Sequence, residues 1–304
     1  SKIDLAAIKT IKMLIDKHRI DIIHCHSNRP LANAIVATYG AKRTPKVICR
    51  RGIVRAVRRY DPIEWLTTLN PRYSHTIALS EAIAQDLIAT SQFSASAITT
   101  IYQAFDLDWF NIDPHFDMRA SLGIPKQAFV IGTVANYRPV KGLDIFMAVI
   151  LKLEKHENIH WVIVGEQCAE HLAHFIQDKD VAKRVHFLGY QATPGNYVQD
   201  FDLYIQSSRS EGLSFALVEA MLLGICSIVS DIGGMPELVS HHSRGLVFEK
   251  DNVQELLSHI IYLRQHAEMR GLLAESGKQF IQETLSLEQM TTKTEELYKT
   301  LLPA

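Results

Sequence analysis

Short β-branched runs alternate with helical stretches along almost all of this 304-residue chain, and that alternation dictates parallel sheets flanked by crossover helices. In the first half the strand-like runs are IDIIHC (20–25), KVIC (46–49), HTIAL (75–79) and ITTIY (98–102), with helices expected near 3–18, 30–39, 62–69 and 80–90. Ser80, ahead of EAIAQDLI, reads as an N-cap. A polar, aromatic, irregular stretch, FDLDWFNIDPHFDM, then interrupts the pattern. Alternation restarts with FVIGTV (129–134), HWVIVG (160–165), VHFLG (185–189), LYIQ (203–206), CSIVS (226–230) and GLVF (245–248). Helices are expected near 142–155, 168–177, 215–224, 252–264 and 267–283. Two such blocks predict two Rossmann-like, doubly wound α/β domains facing a cleft at the C-terminal ends of their strands. The expected boundaries are 1–118 for the first domain and linker, 119–285 for the second, and 286–304 for an amphipathic helix packing back toward the first.

Composition narrows the partners. A formal net charge of -1 argues against a general nucleic-acid binder, which relies on a broad positive excess. Cys25, Cys49, Cys168 and Cys226 are scattered, with no C-x-x-C pair, as fits reduced thiols in a cytoplasmic protein. No apolar run approaches the roughly 18–20 residues needed to span a bilayer, and no signal peptide is visible. Residue 1 is Ser, and the chain opens directly in the amphipathic helix IDLAAIKTIKMLIDKH, without the strand that normally starts a parallel domain. The first domain is therefore expected to be incomplete at its N-terminus.

The stretch SEGLSFALVEAMLLG carries the densest chemistry. Gly212 permits a tight loop, and Ser214 is placed to cap the helix FALVEAMLL. The first amides of a helix have no internal acceptor and carry partial positive charge, so they can receive a phosphate. Glu211 stands just before them and Glu219 one to two turns in, where carboxylates can accept hydrogen bonds from sugar and ribose hydroxyls. Alone, the stretch reads equally as a capped helix with two surface acids. A second loop, GTVANYRPVKGLDIF, puts Arg138 and Lys141 between a strand and a helix start at Gly142. A planar fork and a point charge suit a diphosphate; a solvated loop with two surface bases is the alternative. It is not a Walker A loop, and no G-x-G-x-x-G follows any strand. In SDIGGMPELV, Gly233 and Gly234 let backbone approach a ligand or a helix, and Pro236 and Glu237 start a short helix.

Strand alternation along IDIIHCHS puts His24 and His26 on one face. His24 is expected to be a satisfied structural histidine and His26, at the strand end, a neutral partner for a hydroxyl. No third ligand lies near enough in sequence to make the two a metal site. D-x-D occurs as Asp106/Asp108, Asp178/Asp180 and Asp200/Asp202, in a linker, a surface turn and ahead of a strand, and no metal role is assigned to them. The segment RRGIVRAVRRYDP would place Arg51, Arg55, Arg58 and Arg59 on one helical face, with Ile53, Val54 and Val57 as an apolar component. Anionic lipid, an anionic acceptor or plain solvation could each account for it.

In chain order, IDIIHCHS, ALSEAIAQDL, TTIYQAFDLDWF, GTVANYRPVKGLD, HWVIVGE, VHFLGY, SEGLSFALVEAM and SDIGGMPELV resemble glycosyltransferase family four, retaining enzymes of the GT-B fold that use nucleotide-sugar donors. The resemblance covers nearly the whole chain, and the acidic pair together with R-x-x-K-G and GG-x-PE makes it specific. It implies that Arg138 and Lys141 hold the donor diphosphate, that Glu219 binds ribose hydroxyls and that Glu211 binds the transferred sugar. It further implies phosphate contacts from the amides of Ser214, Phe215 and Ala216 beyond Gly212, a place for Tyr190 against the base, and a reach from His26 to the sugar. Gln103-Ala104 stands where the family often has Asn-Gly, and Glu166-Gln167 where it often has a second glycine. Family members also begin with a strand and a Gly-rich loop that are missing here, so the chain as given is expected to be a fragment or a truncated product, and its activity alone is left open.

The expected reaction moves a sugar, with retention, from a UDP-, GDP- or ADP-linked donor to a hydroxyl acceptor that is lipid-linked or anionic. No metal or cofactor is expected. Arg138, Lys141 and the helix start would stabilise the charge that builds on the departing diphosphate. The setting implied is synthesis of cell-envelope polysaccharide, lipopolysaccharide or glycolipid at the inner face of the membrane. The alternatives are a nucleotide-sugar epimerase or a phosphorylase on the same fold, and a non-catalytic homologue that only binds nucleotide.

Overall fold

Four parallel strands form one sheet, in the spatial order β1 (Ile22–Cys25), β2 (Lys46–Arg51), β3 (Tyr73–Ala78) and β4 (Ile98–Thr100). They belong to the first of two units in the computed structural model, which describes residues 3–54, 57–58, 60–90, 94–155 and 158–302. Val47, Ile48 and Cys49 of β2 are all buried, as expected of a parallel strand covered on both faces. Helix Asn28–Tyr39 packs Leu31, Ala34 and Ile35 against Cys25, Val47 and Cys49. Helix Glu81–Thr90 packs Ile83, Ala84 and Leu87 against Ala78 and Leu79.

The last helix, Leu287–Leu301, belongs to this first unit although it ends the chain. Leu297 joins Ile48, Ile77 and Ile101 in one apolar cluster. The Met290 thioether accepts the Ala104 N–H at 3.4 Å, and the Tyr298 hydroxyl lies 2.7 Å from His24 Nδ1.

The second unit, Phe105–Ser286, holds β5 (Phe129–Val134), β6 (Ile159–Val164), β7 (Val185–Gly189), β8 (Leu203–Gln206), β9 (Ser227–Ser230) and β10 (Leu246–Phe248). Every pair is parallel, and the order is β10-β9-β8-β5-β6-β7. The chain lays β6 and β7 on one side of β5, then returns to the other side with β8. The loops after β5 and β8 therefore diverge at a topological switch point, where open α/β sheets bind ligands. Beneath it every residue of β6, β8 and β9 is buried, and Trp161 meets Phe146 edge-on at 5.5 Å.

Two expectations need revising. The irregular stretch 105–118, read as a linker, is tied into the second unit. Phe105 N–H donates to Leu285 O at 2.8 Å, Asp113 N–H to Asn196 Oδ1 at 2.8 Å and Met118 N–H to Asp200 Oδ2 at 2.8 Å. These partners hold its backbone with no regular element longer than the 3-10 turn Leu107–Phe110, which is why no periodic pattern appears. The basic segment does not form the helical face expected of it. Arg51 ends β2, held extended by pairing with Ala78, and the described residues from Gly52 to Val54, with Val57 and Arg58, are irregular. Arg55 and Arg59 lie outside the described residues.

Candidate functional site

The loops that leave β5 and β8 meet at one ion pair. Lys141, at the end of the short 3-10 turn Pro139–Lys141, brings its Nζ within 2.7 Å of Glu211 Oε2. Gly142 follows at φ 62, and a Cβ built there would lie 1.8 Å from the Ser207 carbonyl, so the end of β8 packs directly on this turn. The Ser207 hydroxyl donates to the Gly142 carbonyl at 2.7 Å from the other direction. Arg209 fastens the two loops further out. Its guanidinium grips both oxygens of Asp144 at 2.8 and 2.6 Å, Asp251 at 2.6 Å and the Pro139 carbonyl at 3.1 Å. That bidentate grip holds the Asp144 carboxyl below the usual carboxylate range.

Ser214 caps helix Phe215–Leu222, its hydroxyl accepting the Leu217 N–H at 3.3 Å. The N–H groups of Phe215 and Ala216 have no protein acceptor among the described residues, which leaves two amides at a helix start for an anion. The carbonyl of Gly212 accepts the Gly234 N–H at 2.8 Å, and a Cβ at Gly233 would sit 1.9 Å from the Glu211 carbonyl. The paired glycines thus press a second backbone against the loop that carries Glu211.

Glu219, inside the same helix, is 4% exposed, and its Oε1 has no hydrogen-bond partner among the described residues. Burial pushes its carboxyl up to about 7, with a backbone hydrogen bond from Gly195 opposing the shift. A Cβ at Gly195 would lie 2.6 Å from Glu219 Oε1, so the glycine makes room for that carboxyl. A buried carboxyl with one oxygen unsatisfied costs stability and marks a place where hydroxyl donors would be welcome.

Arg138 is exposed and carries no ion pair among the described residues. Together with Lys141, Gly165 and Tyr190 it lines a cavity of about 370 Å³ at the C-terminal ends of β5, β6 and β7. Tyr190 is 68% exposed, its ring available to stack. The left-handed position after Gly165, where the family often has glycine, is taken by Gln167 at φ 61.

Of the residues singled out in the sequence, Arg138, Lys141, Tyr190, Glu211, Gly212, Ser214, Phe215, Ala216 and Glu219 all lie in the second unit, and Lys141 and Glu211 are in direct contact. His26 lies in the first unit. There it lines a separate hollow of about 240 Å³ with Asn28, Arg50 and Arg51, and its ring stacks on His24 at 4.5 Å. His24 is only half satisfied: Tyr298 holds Nδ1, while the buried Nε2 has no partner among the described residues. Burial, with His26 and Arg50 adding to it, lowers His24 to about 4 and keeps the ring neutral. The Arg50 guanidinium also bonds the Gln103 side chain, one of the departures from the family pattern.

The D-x-D pairs serve the backbone. Asp106 caps the 3-10 turn Leu107–Phe110, and Asp178 caps Lys179–Ala182. Asp202 takes the Val130 N–H and the Arg119 guanidinium, each at 2.8 Å. No group of three or more His, Cys, Asp or Glu that could hold a metal occurs among the described residues. Sequence reasoning missed Gln206, Ser208 and Arg209, the polar residues that fix Glu211 and its loop. The available signal was a polar residue ending an otherwise apolar strand, LYIQ.

Residues 115–280 match the family described as glycosyl transferases group 1, and residues 1–109 match glycosyltransferase family 4. The O-antigen biosynthesis glycosyltransferase WclY of Escherichia coli is 28% identical over 184 residues, covering 60% of this chain and 50% of the relative. The chain thus spans about half the length of that relative. The N-acetyl-alpha-D-glucosaminyl L-malate synthase of Bacillus anthracis is 23% identical over 313 residues, covering 98% of this chain and 80% of the relative. The fold is that of the Anabaena Alr3699/HepE crystal structure in complex with UDP, at a TM-score of 0.84 and 20% identity, covering 97% of this chain and 82% of that one.

Proposed function

This chain belongs to the glycosyl transferases of group 1, and from that premise we propose that it moves a sugar, with retention, from a uridine diphosphate donor to a hydroxyl acceptor during synthesis of a cell-envelope glycan. One observation carries the reading: the Lys141–Glu211 pair stands at the switch point between β5 and β8, beside two unpartnered helix amides and the buried acid Glu219. Arg138, Lys141 and the amides of Phe215 and Ala216 hold the diphosphate and stabilise the charge it gains as the glycosidic bond breaks. Glu219 accepts the ribose hydroxyls, Glu211 accepts hydroxyls of the transferred sugar, and Tyr190 lies beside the base. The part assigned to His26, a hydroxyl contact to the sugar, rests on family resemblance. Uridine is favoured because the Anabaena structure holds UDP, and the glycan setting because the Escherichia coli relative is named for O-antigen synthesis.

The test is calorimetry with UDP, GDP and ADP, paired with a turnover assay on UDP-glucose, UDP-galactose and UDP-N-acetylglucosamine. UDP is expected to bind at least tenfold more tightly than the other two nucleotides. No UDP binding and no turnover of any donor would end the reading. Binding without turnover would leave the nucleotide-binding alternative in its place.

The acceptor reading is finer. Arg50 and Arg51 beside His26 favour an acceptor that carries an anionic group, in keeping with a relative named for a product containing L-malate, a dicarboxylate. Ile53, Tyr60 and Trp65, 58%, 99% and 57% exposed, flank Arg58 in the same short segment and favour contact with an anionic bilayer. No helix among the described residues is long and apolar enough to cross a membrane. Replacing Tyr60 and Trp65 with Ser is expected to cut pelleting with phosphatidylglycerol vesicles several-fold, and unchanged pelleting would remove the membrane from the proposal.

A further inference from the structure

One buried amide does work that the family resemblance did not assign. Gln206 ends β8, is 3% exposed and makes four side-chain hydrogen bonds. Its Oε1 accepts the Tyr204 and Ser214 hydroxyls, each at 2.8 Å. Its Nε2 donates to the Ser208 hydroxyl at 3.1 Å and to Glu211 Oε2 at 3.4 Å. The direction of these bonds follows from chemistry. An ionised Glu211 can only accept, so the amide nitrogen must face it, and Oε1 then faces the two hydroxyls. Tyr204 is fully buried, and burial together with the Glu211 carboxylate pushes its hydroxyl upward, so it stays protonated and donates.

The contacts on Glu211 are one-sided. Lys141 at 2.7 Å, Ser208 at 3.3 Å and Gln206 at 3.4 Å all converge on Oε2. Oε1 has no protein partner among the described residues, so it is the oxygen left to meet a ligand. A carboxylate held by a single donor could rotate and present either oxygen. One held on the same oxygen by a cation, a hydroxyl and an amide cannot do so without breaking all three bonds.

We infer that Gln206 is a positioning residue for sugar transfer: it couples the buried Tyr204 and the helix cap Ser214 to Glu211, so that Glu211 presents a fixed, ionised Oε1 to the transferred sugar. The inference rests on the proposed role of Glu211. It assigns the orientation of that carboxylate to the end of β8 rather than to Lys141 alone. In that reading Arg138, the helix amides and Glu219 hold the nucleotide without a bond to Gln206, and Lys141 serves both groups, so loss of Gln206 falls mainly on turnover.

The test compares Gln206→Leu and Gln206→Glu with wild type in the full chain, using UDP affinity by calorimetry and turnover of UDP-glucose, UDP-galactose and UDP-N-acetylglucosamine. Gln206→Leu is expected to keep UDP affinity within about threefold while kcat falls about 30–100-fold. Gln206→Glu keeps the shape but sets a second carboxylate beside Glu211. The other titratable groups here are Lys141 and Tyr204, with Glu219 within electrostatic reach of Tyr204. Two adjacent carboxylates share a proton at low pH, and that proton restores a donor to Glu211. Turnover by Gln206→Glu, taken at saturating donor and relative to wild type at each pH so that the titration of Glu219 cancels, should therefore recover at least tenfold as pH falls from 8 to 5.5. The inference is overturned if Gln206→Leu keeps kcat within threefold of wild type, or if UDP affinity falls in parallel with kcat. Should that variant not fold, a pH profile of Gln206→Glu that parallels wild type overturns it instead. A wild-type chain that neither binds UDP nor turns over a donor would strike the reading of the site, not this one.

Discussion

Lys141→Ala is expected to lower turnover of the donor sugar nucleotide by about 10²–10³-fold, equivalent to roughly 2.7–4 kcal/mol of lost stabilisation of developing charge. Lys141 stands 2.7 Å from Glu211, and both side chains are only partly exposed, 25% and 15%. Without a ligand the ammonium is spent on Glu211. With a diphosphate in place it can serve both, and the phosphate demand grows as the glycosidic bond lengthens. The loss should therefore fall mainly on kcat, with a smaller loss in UDP affinity. Stability should change little, because partly exposed ion pairs contribute about 0–1 kcal/mol. Steady-state kinetics with matched thermal melts makes the check. A kcat within threefold of wild type would show that the charge is met by other groups.

The second large effect is a trade between stability and binding at Glu219. Its carboxyl lies at about 7 in the folded protein against 4.5 ordinarily. The sign follows from proton counting. Between about pH 4.5 and 7 the folded state holds a proton that the unfolded state has released, so stability falls as pH rises through that window. Above 7 the folded protein carries the full penalty of a buried charge with one oxygen unpartnered among the described residues, about 3 kcal/mol at ~1.36 kcal/mol per pKa unit. Glu219→Gln removes the charge and should stabilise the protein above pH 7 by up to that amount while flattening the slope. The same change should weaken UDP by about 10–100-fold, since charge-assisted hydrogen bonds become neutral ones. In wild type, hydroxyl donors favour the ionised form, so UDP binding near pH 6.5 should release a proton. Calorimetry in buffers of different ionisation enthalpy reads that proton directly. Proton-neutral binding, with no stability gain in Glu219→Gln at pH 8, would remove Glu219 from the ribose.

The contrast between what the chain disclosed and what it withheld has a physical origin. Strand runs such as FVIGTV and LYIQ became β5 and β8 with the expected bounds, because strands covered on both faces are mostly apolar. Ser214 was legible as a cap because capping is local, a hydroxyl meeting an amide three residues on. Arg209 was not legible, since its partners Asp144 and Asp251 lie 65 and 42 residues away and only the sheet order brings them together. Gln206 was overlooked for the same reason in reverse. Its partners are near in sequence, but its value depends on burial, which no local pattern reports. The basic run at 51–59 misled because helical spacing of charge was weighed without the pairing that draws Arg51 into β2.

The N–H of Phe105 and the carbonyl of Leu285, 2.8 Å apart, join the two ends of the second unit. Because its entry and exit are stapled together, that unit is topologically an insert, spliced as one closed loop into a host formed by the residues before and after it. A cut in the chain at either crossing would leave the insert's own hydrogen-bond closure in place. Residues 105–286 thus form one uninterrupted stretch of chain, entered and left at neighbouring points.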